Sequence, residues 1–435
     1  MSILLLLRCG RSSLHRATLC LGALFVAAPV LSAPVALPFE DAVRLAVERA
    51  PMLDARRLQS VAAQEQAARA SALPDPQLTV GIDNLTLTGR DAFDFRADEM
   101  TMKRIGLMQA FPARAKLRAR QDLADRFIEQ AEALSIAEQL AVRKAAAEAW
   151  IALWATEREV EALKSLREQS KLAIRLSKAQ LANGVGTVVD TLATQAAALD
   201  LDNRIDEAEA AVEAARSTLA RWLGMDPAEL ATSGGPPDLM ALPVNEAALL
   251  ASVDQQGPLL PWRSTEAIAE AEVALASAEK RPDWSIGASY GQRDRTSTGM
   301  PRSDMLTVEF AIGLPLFSTH RQDRGVAAKR AELNAVAASH EDARRAQVDA
   351  VRRALAEWSG LKRQIARKEK EMLPLAHDRS RTAIASYGGG GPLQPWLEAR
   401  RDELELHIEH ARHLGELGRA WAALAYLSPT AEGQP

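Results

Sequence analysis

From Ala113 to Asn183 the chain runs for 71 residues without a glycine or a proline. These are the residues that break helices, and the run is filled instead with Ala, Leu, Glu, Arg and Gln, which favour them. At a rise of ~1.5 Å per residue an unbroken helix here is roughly 100 Å long. No single globular domain needs such a rod. A second run free of Gly and Pro, Thr187 to Leu223, follows after only Gly184-Val185-Gly186. A connection that short forces the two helices back on each other as an antiparallel hairpin.

The second half of the chain repeats the plan. Arg321 to Tyr387 is helical in pattern, with Gly325, Gly360 and Pro374 as tolerated interruptions or mild kinks. YGGGGP (Tyr387 to Pro392) then breaks it, and a helix of about the length of the first returning one runs to Leu427. Aligning LATQ (Leu192 to Gln195) with LEAR (Leu397 to Arg400) gives an offset of 205, which also sets Phe111-Pro112 on Leu316-Phe317 and Gly186 on Gly391. One unit of about 205 residues is duplicated.

Each half also has a section with a period near two. Trp284, Ile286, Ala288 and Tyr290 alternate with small or polar residues, as do Leu306, Val308, Phe310, Ile312, Leu314 and Leu316. Between them lies the polar loop Arg293 to Asp304. In the first half Leu78, Val80 and Ile82 alternate well and Met100 to Phe111 more loosely. These predict four strands, each apolar on one face. No helix of matching length is available to cover that face, and a membrane barrel needs at least about eight strands. The strands must therefore be shared between subunits, and three chains would give twelve. The rods carry the same implication, because extended hairpins of this kind pack against copies of themselves.

The first residues stand apart. Arg8, Arg11 and Arg16 precede the apolar run Leu19 to Leu31, followed by Ser32-Ala33. This predicts a secretory signal peptide over residues 1–33, cleaved around Ser32 to Ala36. Both cysteines, Cys9 and Cys20, fall inside it. The mature chain is then free of disulfides, thiolate metal sites and cysteine nucleophiles. Its formal charge moves from -4 to about -7, which disfavours nucleic acid as a partner. Hydrophobic residues make up 47 % of the chain but aromatics only 4 %, a mixture for closely packed helices rather than a bulky core. No catalytic Ser/His/Asp constellation and no phosphate loop is present, and the four glycines lack a preceding strand and a following Lys-Ser/Thr. The chain reads as no enzyme, with no cofactor.

These residues resemble the outer-membrane efflux proteins similar to TolC over essentially the whole mature chain. LPFEDAVRLAVERAPML (Leu37 to Leu53) looks like that family's entry helix and ALPDPQLTVGIDN (Ala72 to Asn84) like its approach to the first strand. Together with MTMKRIGLMQAFPARAKLRAR (Met100 to Arg120), that segment is similar to the heavy-metal branch of CzcC- and CusC-like channels. The resemblance implies a mainly α fold with a small β section. Long helical hairpins would form a periplasmic α-barrel, and four strands per chain would join a trimeric twelve-stranded outer-membrane β-barrel. The units would be 34–240 and 241–427, with a tail at 428–435. The function implied is a passive exit duct for heavy-metal cations in the outer membrane of a Gram-negative bacterium. Its partners would be a periplasmic adaptor and an inner-membrane RND transporter. A drug-efflux or type I secretion duct of the same fold is the nearest alternative, and a soluble periplasmic scaffold a more distant one.

The resemblance also implies site residues. The hairpin tips, where adaptors dock, are Gly184, Val185, Gly186 and Thr187 in the first half and Gly388, Gly389, Gly390, Gly391 and Pro392 in the second. Glycine suits such reversals and proline the first positions of the returning helix. Several relatives carry two acidic gate positions three residues apart on the second tip. The LATQ/LEAR register puts them at Pro395 and Glu398, so one carboxylate is retained, with Asp190 of the first tip as a partner across subunits. The arginine that some relatives place opposite falls near Gly391. Read from spacing alone, His407, His410 and His413 sit at i, i+3 and i+6; adjacent pairs could chelate a metal, but all three cannot share one helix face. Polar residues between helices are the simpler reading of them.

Overall fold

The computed structural model describes residues 35–429; the expected signal segment with its two cysteines, and residues 430–435 of the expected tail, lie outside these. A short strand β1 (Val35–Leu37) opens the chain, followed by helices α1 (Phe39–Arg49) and α2 (Pro51–Ala70). Strands β2 (Gln77–Asp83) and β3 (Met102–Phe111) come next. They lead into the rod α3 (Arg114–Ala182), 69 residues in one unbroken helix, and its return α4 (Val188–Leu223). A short strand β4 (Leu230–Thr232) pairs in parallel with β1. The second half gives α5 (Glu246–Ala251), α6 (Leu260–Ala278), β5 (Trp284–Gln292) and β6 (Met305–Ile312). Then follow α7 (Gln322–Arg367), α8 (Leu373–Gly388) and the return α9 (Gln394–Ala425).

Two expectations change in detail. The last strand ends at Ile312, not Leu316. Gly313 turns its N–H to the Asp283 carbonyl at 2.8 Å, and Pro315 has no N–H to continue a ladder. The second rod contains a π-helical turn, Lys368–Met372, in which the Leu373 N–H reaches back five residues to the Lys368 carbonyl. Pro374 lies just beyond it. A proline deprives an α-helix of one donor and crowds the carbonyl four residues back, and the widened turn absorbs both defects without ending the rod.

The principal core sits at the waist, where the segments joining the hairpins wrap the rods. Phe39 meets Trp150 and Trp421 edge-on at 5.5 and 6.1 Å between ring centroids. Trp150 donates its indole N–H to the Leu37 carbonyl at 2.9 Å, Trp358 to Leu239 at 2.9 Å and Trp421 to Ala241 at 2.8 Å. A buried indole needs such an acceptor, so the rings fix the rods to the wrapping backbone as well as filling space. Away from the waist the core thins to small clusters along the hairpins. The rods lie side by side, with α4 and α9 both packed on α3, and α7 and α8 on α9. Little of their length is covered within one chain.

Candidate functional site

Two regions carry the features that matter for function: the four-stranded sheet and the pair of hairpin tips. The sheet is antiparallel in the order β2-β3-β5-β6. Its register puts Val80, Ile105, Tyr290 and Leu306 in one row and Leu78, Leu107, Ala288 and Val308 in the next. Apart from Met102, Met108 and Met305, the large apolar side chains of the four strands therefore face the same way. That face is bare: Val80 is 76 % exposed, Leu306 75 % and Phe310 65 %. Phe111 stacks on Trp284 at 4.2 Å along one margin of the band, with Tyr290 toward the other. Aromatic residues at the margins of an apolar band mark the two interfaces of a bilayer.

The opposite face carries Thr79, Gly106, Ser285, Gly287, Ser289 and Thr307, mostly small or polar, with Met102, Met108 and Met305 among them. It is also the crowded face, since a Cβ on Gly106 would lie 2.8 Å from the Ser289 Cβ and 2.9 Å from the Thr79 hydroxyl. In a closed barrel whose apolar face meets lipid, this face is the inner one. Among the described residues the outer strands β2 and β6 each have one partner only, leaving an unpaired edge on either side. Among the described residues no helix is long and apolar enough to cross a membrane.

Beyond the sheet the loops clasp each other. Arg302 donates to the Asp98 carbonyl at 2.9 Å and the Arg96 carbonyl at 3.1 Å, and Lys103 pairs with Asp294 at 3.1 Å.

At the other end, the tips lie together. Gly184 and Gly390 take φ of +73° and +93°, a region costly for residues with a Cβ. Val185 donates its N–H to the Gln180 carbonyl and Gly391 to the Ser386 carbonyl, both at 3.0 Å. The backbones therefore match Gly184 to Gly390 and Val185 to Gly391, an offset of 206, not 205. A run of four glycines has no side chain to report its register, which is why the sequence alignment slips by one. The step carries the gate positions placed through that alignment from Pro395 and Glu398 to Trp396 and Ala399. Neither is acidic, and Trp396 is fully buried.

Glu398 is itself exposed on the first turns of α9, accepting a hydrogen bond from Gln394 at 3.0 Å. It borders a groove of about 470 Å³ between α8 and α9, together with Asp378, Arg379 and Pro392. Asp190 closes a capping box: its N–H donates to the Thr187 hydroxyl at 3.0 Å, and its carboxylate accepts from the Thr187 N–H at 3.2 Å. Gln180 donates to the Tyr387 carbonyl, clipping the first tip to the second.

His407, His410 and His413 run along α9 without converging, and among the described residues no three of His, Cys, Asp and Glu are arranged to hold a metal. His410 sits 3.6 Å from Glu369 at the π-turn, and burial holds its pKa down to about 4. Lys368 of that turn pairs with Glu409 at 2.8 Å.

Sequence reasoning missed a buried polar seam nearby. Arg400 donates to the Leu166 carbonyl, to Gln169 at 3.2 Å and to Glu403 at 3.2 Å, and Glu403 meets His377 at 3.0 Å. The signal was present, because Arg400 and Glu403 occupy the helical stripe that also buries Trp396, Ala399 and Leu404.

Residues 264–428 match the family described as outer membrane efflux protein. No curated protein matches the sequence. Solved structures with the same fold include the outer-membrane channel OprN, 18 % identical, covering 89 % of each chain with a TM-score of 0.73. The outer membrane protein VceC from Vibrio cholerae is 18 % identical, with 90 % of this chain and 96 % of that one covered and a TM-score of 0.70. CusC is 16 % identical, with 94 % and 96 % covered and a TM-score of 0.71. Over residues 264–428 the chain is thus similar to the outer membrane efflux proteins, and its described length has the mainly helical fold, with a small sheet section, of solved outer-membrane channels.

Proposed function

We propose that three copies of this chain form an outer-membrane channel of a Gram-negative bacterium. It acts as the passive exit duct of a tripartite pump, with a periplasmic adaptor and an inner-membrane transporter as partners, and carries heavy-metal cations. The observation that carries this reading is the sheet, with one largely exposed apolar face, an opposite face of mostly small and polar residues, and two edges unpaired among the described residues. A lone sheet of that kind in water would aggregate through its edges. Three such sheets joined edge to edge make twelve strands, lipid outside and water within. The long rods continue the duct away from the membrane.

In this reading 34–240 and 241–427 are its two structural units. The tips at Gly184 to Thr187 and Gly388 to Pro392 are the adaptor-docking end. Glu398, with Asp190 of the neighbouring first tip, lines the aperture. Its candidacy rests on exposure at that end of α9. The three histidines of α9 serve packing between helices more than metal binding. The cation assignment rests on the resemblance to the heavy-metal branch and on the carboxylate at Glu398.

Fractionation and a deletion strain test the proposal together. A heat-modifiable outer-membrane trimer, with loss of metal resistance and unchanged drug sensitivity on deletion, is expected. The reverse sensitivity would replace metals by drugs as cargo, and recovery in the soluble periplasm would remove the channel altogether.

A further inference from the structure

The strands place only three ionisable groups on the face opposite the apolar band: Asp83, Arg104 and Glu309. Asp83 and Arg104 sit 3.1 Å apart and offset each other. Glu309 has no ion pair among the described residues. Opposite it on β5 is Gly287, and its neighbours on the same face of β6 are Thr307 and Ala311. It also lies on an edge strand, so closure of a ring brings the β2 of a second copy beside it. Whatever register that strand takes, β2 sends Gln77, Thr79, Gly81 and Asp83 to this face, none of them a cation. The one cation on this face, Arg104, stands two strands away and four residues along within a copy and is already paired with Asp83, so no cation of the strands adjoins Glu309.

We propose that Glu309 is a cation-selecting residue of the barrel, repeated three times around its lumen. The inference rests on the trimeric channel reading and deepens it, placing selection within the membrane section rather than only at the tips. Twelve strands ~4.8 Å apart at a tilt of ~40° give a backbone radius of roughly 12 Å. A glutamate side chain reaches inward by about 5 Å, which leaves the carboxylates roughly 7 Å from the axis, inside the ~10 Å Debye length of 0.1 M salt. Their fields therefore overlap across the lumen, attracting cations and repelling anions as carboxylate rings do in other pores. At 1 M salt the Debye length falls to ~3 Å and the overlap disappears. An inward charge on an edge strand also guards against mispairing, but that role acts on assembly and leaves ion selectivity alone.

The test is the reversal potential of the full-chain channel in planar bilayers under a KCl gradient, at mean concentrations of about 0.1 M and about 1 M. Glu309→Gln is expected to lower the potassium-to-chloride permeability ratio at least two-fold at the lower salt, and Glu309→Lys to invert it. Both differences shrink at the higher salt. Thr307→Lys keeps Glu309 and adds a cation beside it, so it lowers the ratio even if the Glu309 variants fail to assemble. Conducting channels with unchanged ratios at low salt in every variant that assembles overturn the proposal. A wild-type chain that inserts no channel overturns the channel reading itself.

Discussion

At the first tip Thr187 and Asp190 exchange hydrogen bonds across the start of α4; at the second, the matching positions hold Leu393 and Trp396, which are buried instead. The backbones are alike, with a left-handed glycine followed two residues before the returning helix's N-cap by the same five-residue reach to a carbonyl. What differs is the kind of force that holds each turn. A capping box stabilises a helix start by about 1 kcal/mol and leaves its side chains in water. Burying a Trp among Ala173, Ile384, Tyr387 and Leu393 contributes more than that and hides the apolar group. Part of the gain is offset because the Trp396 indole N–H has no partner among the described residues. The surfaces left over differ accordingly. The capped tip shows Val185, Val188 and Val189 to solvent, while the plugged tip shows glycine backbone. An adaptor that docks here meets apolar side chains on one hairpin and peptide groups on the other.

Trp396 is the side chain on which the second tip depends most. Trp396→Ala is expected to cost about 3–5 kcal/mol locally, the range for emptying a buried aromatic site. Hydrogen exchange on the assembled protein should show lost protection over 384–400 and a smaller loss over 183–195. An equal loss at both tips would mean that they form one cluster with no division of labour between cap and plug.

Thr187→Ala sharpens the other side. Removing the cap should cost about 1 kcal/mol and speed exchange in the first turn of α4 with little effect on α9. A cost as large as that at Trp396 would show that the first tip depends on its box as the second does on its plug.

How much of this was legible in the sequence follows the same divide between side chains and bare backbone. The rod α3 could be read to within a residue at each end, because Gly and Pro bound it and nothing inside opposes helix. The alternation at Trp284 to Tyr290 gave the strand and its face, since one buried or lipid-facing side imposes the period. The duplication was visible, but its register at the second tip was not: Gly388 to Gly391 can slide without changing any pattern. The candidate gate was placed through that same alignment. The π-turn was hidden for another reason, because Pro374 announces a defect without saying whether the helix will kink, stop or widen. Glu309 passed as one polar residue in a polar alternation, and only the strand order showed that no cation of the sheet adjoins it.

The smallest effect concerns the contact between the tips. Tyr387 is buried, its hydroxyl has no hydrogen-bond partner among the described residues, and its pKa is raised, first by burial and then by the charge of Asp190. In an unfolded chain the phenol ionises near pH ~10. Because the folded pKa lies higher, the stability tied to the neutral phenol is fully present below ~10 and is lost as pH rises through the folded value. Tyr387→Phe removes an unpaired buried hydroxyl, so at neutral pH it should change stability by less than about 1 kcal/mol in either direction. It should also abolish the alkaline loosening of the tip. With only three tyrosines in the chain, subtracting the variant's phenolate titration from that of the wild type isolates this one group. Limited proteolysis across the same pH range then reports whether the tip opens as the phenol ionises. A titration at the ordinary tyrosine value, with no change in cleavage, would mean that water reaches the hydroxyl and that the second tip is less tightly plugged than Trp396 implies.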